Sequence, residues 1–185
     1  MNEQGAAGAA SSLVVLVGYR CTGKTTVAAH LARLLRWNWT DMDPLLEART
    51  GRTVREIFES EGEAGFRARE SVLLNEVCGL QRHVLATGGG VVLLPRNREC
   101  LQKAGTVFWL KADALTIHQR MTGDPTTTQR RPALTVGGLA EIEDLLTKRE
   151  PLYRECAHGT VDTVDHTPEE VAANIMEWLS RNRPI

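Results

Sequence analysis

Five apolar residues, Leu13–Val17, run into Gly18, and after four more residues the chain reads Gly23-Lys24-Thr25-Thr26 and turns amphipathic. This Gly-x-x-x-x-Gly-Lys-Thr spacing, set between a strand-like run and a helix-like one, constrains the chain more than any other feature. It calls for a buried strand, a backbone loop and a helix in immediate succession. Small residues at the two glycines let consecutive backbone N–H groups close around an anion, and the helix that follows adds its positive end. Lys24 then supplies a point charge to the β- and γ-phosphates of a nucleotide, and the Thr25 hydroxyl a ligand for Mg²⁺. A tight strand–helix turn with an incidental lysine is the plainer reading. The correct flanking pattern favours the phosphate cradle.

The rest of the chain continues the alternation. The α1 helix is expected from Lys24 to Leu35, with Val27, Leu31, Leu34 and Leu35 on one face. Trp37–Thr40 reads as a second strand ending at Asp41, and a helical span from Pro44 to Leu80 is broken near Gly51 and Gly62. His83–Thr87 is a buried strand stopped by Gly88-Gly89-Gly90, followed by a Pro95–Lys103 helix, a Thr106–Leu110 strand and an Ala112–Met121 helix. Residues Gly123–Gly138, rich in threonine and punctuated by proline and glycine, have no periodicity and suit a lid. An Ala140–Glu155 helix, a Gly159–Thr163 strand and a last helix capped by Thr167, with Pro168 at its first position and Glu170 two further on, complete the pattern. Such alternation implies a parallel sheet covered by helices on both faces, an α/β fold.

At 185 residues, 42% of them hydrophobic, the chain is expected to form one domain over 13–185 behind a small, polar, disordered segment at 1–12. Its net charge of −1 provides no global field for nucleic acid or an anionic membrane, so any anion must be held locally. The opening residues lack the basic start of a signal peptide, and no apolar run reaches membrane-spanning length. Four scattered cysteines suit reduced thiols in the cytoplasm.

Three further clusters carry chemistry. Asp41-Met42-Asp43 follows the second strand, where ligands gather in open α/β sheets. Strand alternation would aim both carboxylates one way, one toward Mg²⁺ through water and the other toward an acceptor hydroxyl as base. A helix N-cap with a solvated turn is the alternative. Arg67 and Glu70, one helical turn apart, suit an exposed salt-bridged face or an oriented arginine. Three successive glycines, Gly88–Gly90, cost chain entropy and imply very close backbone approach. Arg130-Arg131-Pro132 falls in the lid segment, and Arg149 on a helix.

Taken in order, "GYRCTGKTT", "DMD", "TGRTVREIFESEGEAGFRARE", "ATGGGVV", "RRPAL" and "KREPLYRE" resemble the shikimate kinase family along nearly the whole chain from Leu13 to Trp178. The resemblance implies a three-layer P-loop fold like that of nucleoside monophosphate kinases, its five parallel strands ordered 2-3-1-4-5, with a lid at about 123–138 and a helical substrate-binding region. It implies ATP and shikimate as substrates and Mg²⁺ as cofactor, in a cytoplasmic monomer with no nucleic-acid or membrane partner. On the nucleotide side it implies contacts from Cys21, Thr22, Gly23, Lys24, Thr25, Thr26, Arg120, Arg131 and His166. Thr25 and Asp41 would serve the metal. Asp43 would be the base, with Lys24 and Arg131 stabilising the transferring group. Arg67 and Arg149 would clamp the acceptor carboxylate, Gly88, Gly89 and Gly90 would hold its hydroxyls, and Phe58 and Phe66 would pack on its ring.

The chain departs from the family pattern at Cys21, where a second glycine is usual, at His166, where arginine is frequent, and in a lid lengthened by "GDPTTTQ". A left-handed backbone at Cys21 would cost about 1 kcal/mol or more. Its thiol, beside Lys24 and a helix N-terminus, is either an activated thiolate or an inert packing group. Cys78, Cys100 and Cys156 read as packing residues. Two other functions fit less of the pattern: a kinase for another hydroxylated acid, such as gluconate, and a nucleotide-binding regulator that has lost turnover.

Overall fold

The computed structural model describes residues 12–123 and 138–182. Five parallel strands form one sheet: β1 (Leu13–Val17), β2 (Asn38–Asp41), β3 (His83–Ala86), β4 (Thr106–Lys111) and β5 (Gly159–Asp162), ordered β2-β3-β1-β4-β5. The register is continuous, with Leu13 beside His83, Val14 beside Thr106 and Phe108 beside Gly159. The order expected from the family resemblance is the order observed.

Alternation along the central strands makes two cores. Leu13, Val15 and Val17 of β1 join Leu85, Val107 and Trp109 on one face. Val14 and Leu16 join Val84, Ala86, Phe108 and Leu110 on the other. The first face is covered by α2 (Met42–Thr50), α3 (Val54–Val77), α4 (Pro95–Ala104) and α6 (Gly138–Cys156). The second is covered by α1 (Lys24–Leu35) and α7 (Pro168–Asn182), which also pair through His30 and Glu169 at 3.1 Å. A smaller cluster under α5 (Ala114–Gly123) and α6 gathers Tyr19, Ala112, Ile117, Ile142 and Leu146. Because β1 is buried on both faces, its five residues need no polar alternation.

Several boundaries differ from the expectations, each for a local reason. The helix after β2 begins at Met42 rather than Pro44, because Asp41 caps it by accepting from the Asp43 N–H at 3.0 Å. Asp43 therefore lies in a first helical turn, not on a strand, and the alternation argument for the pair gives way to the N-cap. Met42 still faces the core, 2% exposed. The first break falls at Gly51, the left-handed C-cap of α2. Thr53 and Glu56 then form a reciprocal capping box that restarts the chain as α3. Gly62, at φ 68°, kinks α3 without ending it. On α1, Leu34 is 47% exposed, and Ala28 and Ala32 complete the apolar face instead. A short 3₁₀ turn, Val91–Leu93, follows the glycine run before α4. The Thr167–Glu170 capping box of α7 forms as expected. Most of the expected lid (124–137) lies outside the described residues. Among those described, no helix is long and apolar enough to cross a membrane.

Candidate active site

The phosphate loop spans the carboxyl end of β1 and the start of α1. Gly18 is compelled there: a Cβ would stand 2.4 Å from the Leu110 carbonyl oxygen, and its φ is +145°. Lys24, 8% exposed, folds back under the loop and donates to the Gly18 and Tyr19 carbonyls at 2.9 and 2.6 Å. Thr22, also buried, donates to the Tyr19 carbonyl at 2.8 Å. These bonds fix the shape of the loop from its carbonyl side. Cys21 has φ 60°, so the left-handed conformation that favours glycine is present at this departure from the family pattern. Gly23 caps α1 in the same region, and Thr25 and Thr26 sit exposed on its first turn.

Beyond the loop, the Thr25 hydroxyl donates to Asp41 Oδ2. Burial, chiefly, raises the Asp41 pKa above its ordinary 3.8, and the Asp43 charge adds to the rise; the Thr25 hydroxyl, the Asp43 N–H and Lys24 act the other way. Lys24 and Asp43 are thus both near enough to Asp41 for their charges to act on it. Thr25 and Asp41 together are a pair of hard oxygen donors, the type Mg²⁺ takes alongside phosphate oxygens and water. Among the described residues, no group of three or more His, Cys, Asp or Glu side chains could hold a metal ion.

The glycine run explains the arginines. A Cβ at Gly90 would stand 2.2 Å from Arg67 Nη2, so the guanidinium lies flat on that backbone. Gly89 faces the phosphate loop, where a Cβ would stand 3.2 Å from the Arg20 nitrogen and 3.3 Å from the Gly18 oxygen. The close approach expected at these glycines is thus to Arg67 and to the loop itself. Gly88 opens the 3₁₀ turn by accepting from the Val91 N–H at 3.1 Å. Arg67 is not on an exposed face. It is 7% exposed, paired with the buried Glu70 at 2.7 Å and with Glu63 at 3.2 Å, because this side of α3 packs against Phe66 and Gly90. A buried pair of this kind makes Glu70 indispensable to Arg67, since removal would strand a charge. Phe66 is wholly buried and stacks on half-buried Phe58, centroids 4.5 Å apart.

Arg149, on α6, places its guanidinium 5.4 Å over the Tyr19 ring. Arg120 ties the loop to the end of β5, donating to the Cys21 carbonyl at 3.3 Å and to Thr163 Oγ1 at 3.0 Å. His166 is exposed, its Nδ1 2.7 Å from the Val164 carbonyl, so the Nδ1–H tautomer donates there. Arg131 lies outside the described residues.

Two residues at the site escaped the sequence reading. Tyr19 occupies a position the loop motif leaves free, and Tyr153 lies on α6 one turn beyond Arg149. Both are buried, and Tyr153 donates to the Gly89 carbonyl at 2.5 Å. The signal was compositional: the chain contains only two tyrosines, and both sit beside Arg149.

Comparison with known proteins agrees along the whole fold. The family model for shikimate kinase matches residues 20–180. The shikimate kinase of Acinetobacter baumannii (strain AYE) is 42% identical over 171 residues, 92% of this chain and 93% of that protein. That of Rhodopirellula baltica is 38% identical over 163 residues, 88% of this chain and 87% of the relative. A solved structure of shikimate kinase from Acinetobacter baumannii in complex with shikimate matches with a TM-score of 0.87 and 40% identity, covering 93% of this chain and 94% of that one.

Proposed function

The chain belongs to the shikimate kinase family, and on that premise we propose how its side chains divide the work of the reaction. It is an ATP-dependent kinase that phosphorylates the 3-hydroxyl of shikimate, giving shikimate 3-phosphate and ADP, a step toward the aromatic amino acids.

The loop N–H groups from Cys21 to Thr26 hold the phosphates, and Lys24 leaves its loop carbonyls to meet the β/γ oxygens. Arg120 and His166 border the adenine end. Thr25 and, through water, Asp41 would hold Mg²⁺, which would neutralise charge on the phosphate oxygens. Arg67 and Arg149 grip the acceptor carboxylate, for which two planar guanidinium groups are well suited. The Gly88–Gly90 backbone meets the acceptor hydroxyls, with Phe58 beside the ring and Phe66 supporting Phe58 and Arg67 from beneath. Asp43 receives the proton of the reacting hydroxyl as the phosphoryl group arrives in line. Arg131, on the 123–138 lid, adds positive charge to the transferring group and the closed lid excludes water that would hydrolyse ATP. The working form is a cytoplasmic monomer with no nucleic-acid or membrane partner; four free thiols support a reducing compartment.

The observation that carries this reading is the junction at Gly89 and Gly90, where the phosphate loop and the Arg67 guanidinium press on adjacent residues of one backbone run. Nucleotide and acceptor sites are thereby neighbours. The test is ADP release by purified protein with Mg-ATP and a panel of acceptors. Shikimate supports turnover and gluconate does not; equal turnover with both would remove the carboxylate-and-ring assignment, and none with shikimate would remove the kinase reading.

A further inference from the structure

Tyr153 has no part in the division of labour above, yet it meets the acceptor side at Gly89 and at Arg149. It is fully buried, its ring stacked on Trp109 at 5.9 Å and 23°. Its hydroxyl donates to the Gly89 carbonyl at 2.5 Å, in the glycine run that also supports Arg67. Arg149 lies one helical turn before Tyr153 on α6 and hydrogen-bonds its hydroxyl; burial raises the pKa of that hydroxyl, while the Arg149 charge and hydrogen bond, and the Arg67 charge, act in the opposite direction. Arg149 is bracketed from the other side by the Tyr19 ring, 5.4 Å from its guanidinium carbon. A phenol has one proton to give and lone pairs to receive, and an arginine can only donate. With its proton committed to Gly89, the Tyr153 oxygen is an acceptor for Arg149.

We propose that Tyr153 is a positioning residue for acceptor recognition: its hydroxyl, together with the Tyr19 ring, holds the Arg149 guanidinium at the angle from which it meets the acceptor carboxylate, and couples that angle to the Gly89 backbone. A planar fork binds a carboxylate well only when its plane is set beforehand. An arginine on a helix surface would otherwise sample many rotamers. Tyr153 therefore determines how strongly the enzyme prefers a charged carboxylate over a neutral ester. The inference rests on Arg149 being a carboxylate clamp, as assigned above.

The test compares shikimate with its methyl ester in wild type, Tyr153→Phe, Tyr19→Leu and Arg149→Met. Tyr153→Phe keeps the ring and its stacking on Trp109, and removes only the oxygen. It raises the KM for shikimate about tenfold, leaves the KM for ATP within about twofold, and leaves kcat/KM for the ester nearly unchanged. Tyr19→Leu, the second variant should Tyr153→Phe fail to fold, lowers the preference for shikimate over the ester, compared at the same ATP concentration, roughly fivefold. In an Arg149→Met background, Tyr153→Phe adds nothing further. Equal losses on acid and ester, or a shift in both KM values, would mean a merely structural tyrosine and overturn the inference. An Arg149→Met enzyme with an unchanged KM for shikimate would instead remove the clamp itself. A strong Arg149→Met effect with a silent Tyr153→Phe would overturn the positioning role alone.

Discussion

The phosphate loop and the proposed acceptor clamp are built in opposite ways. The loop is a single run of backbone, Gly18 to Thr25, whose shape is held by bonds that close within itself, from Lys24 and Thr22 to the Gly18 and Tyr19 carbonyls. The proposed clamp gathers groups from distant parts of the chain: the Arg67 side chain on α3, the glycine backbone after β3, and the Arg149 and Tyr153 side chains on α6. A loop of N–H donors recognises any phosphate that fits it. A pair of arginines pinned by neighbours of their own suits one arrangement of carboxylate and hydroxyls. Generality therefore comes from contiguous backbone, and selectivity from tertiary packing.

The strongest attempt to break this comparison is on the loop. Lys24→Met should lower kcat/KM by about a thousandfold or more, since a positioned charge at the transferring group is lost. Steady-state rates measure it, and a loss below tenfold would show that the loop's backbone suffices alone. On the clamp, Arg149→Met should raise the KM for shikimate roughly a hundredfold, the cost of a charge-assisted pair, with the KM for ATP nearly constant. If both KM values rose together, the two constructions would not be separable.

A smaller effect lies where the regions meet. Because burial raises the Asp41 pKa, its protonated form contributes stability that is full below about 3.8 and is lost as pH rises through the folded value. Burial makes the ionised carboxylate costly there, a cost that the proposed metal role would account for. Asp41→Asn should therefore raise the melting temperature of the ligand-free protein by roughly 2 °C at pH 7, with no gain near pH 3, while weakening Mg-nucleotide binding roughly tenfold. A melting series across pH, with and without Mg-ATP, checks both halves; a lower melting temperature at pH 7 would contradict the first.

The mildest change is Cys21→Gly. It relieves a left-handed backbone at about 1 kcal/mol but restores freedom to the unfolded chain, so the net gain in stability is below about 1 kcal/mol. If the Cys21 thiol is activated, alkylating reagents inactivate the wild type, bound Mg-nucleotide protects it, and the glycine variant resists. Inactivated enzyme with Cys21 unmodified in its mass spectrum would remove that role.

The contrast also accounts for what the sequence disclosed. Strand order, the loop and the Thr167 cap depend on local pattern or on a resemblance spread along the chain, and they stand as read. Asp43 was assigned to a strand end because alternation was extended past Asp41, whereas a carboxylate that caps a helix ends the strand there. Leu34 fell on the wrong side of α1 because two small alanines covered the sheet in its place. Arg67 and Glu70 looked like surface because spacing alone cannot reveal that Gly90 leaves room for a guanidinium. Tyr19 and Tyr153 lie inside segments that carry the family resemblance, but no spacing rule gives either a role; their importance comes from what surrounds them once α6 and the loop have packed together.

The account's central claim is that Asp43 faces the acceptor hydroxyl across from the phosphate held by Lys24. Single-turnover phosphoryl transfer by Asp43→Asn, with shikimate and Mg-ATP binding measured on the same preparation, tests it most directly. Binding of both substrates within about threefold of wild type and transfer slowed about a thousandfold is the expected result. Transfer at a near-normal rate would contradict the account.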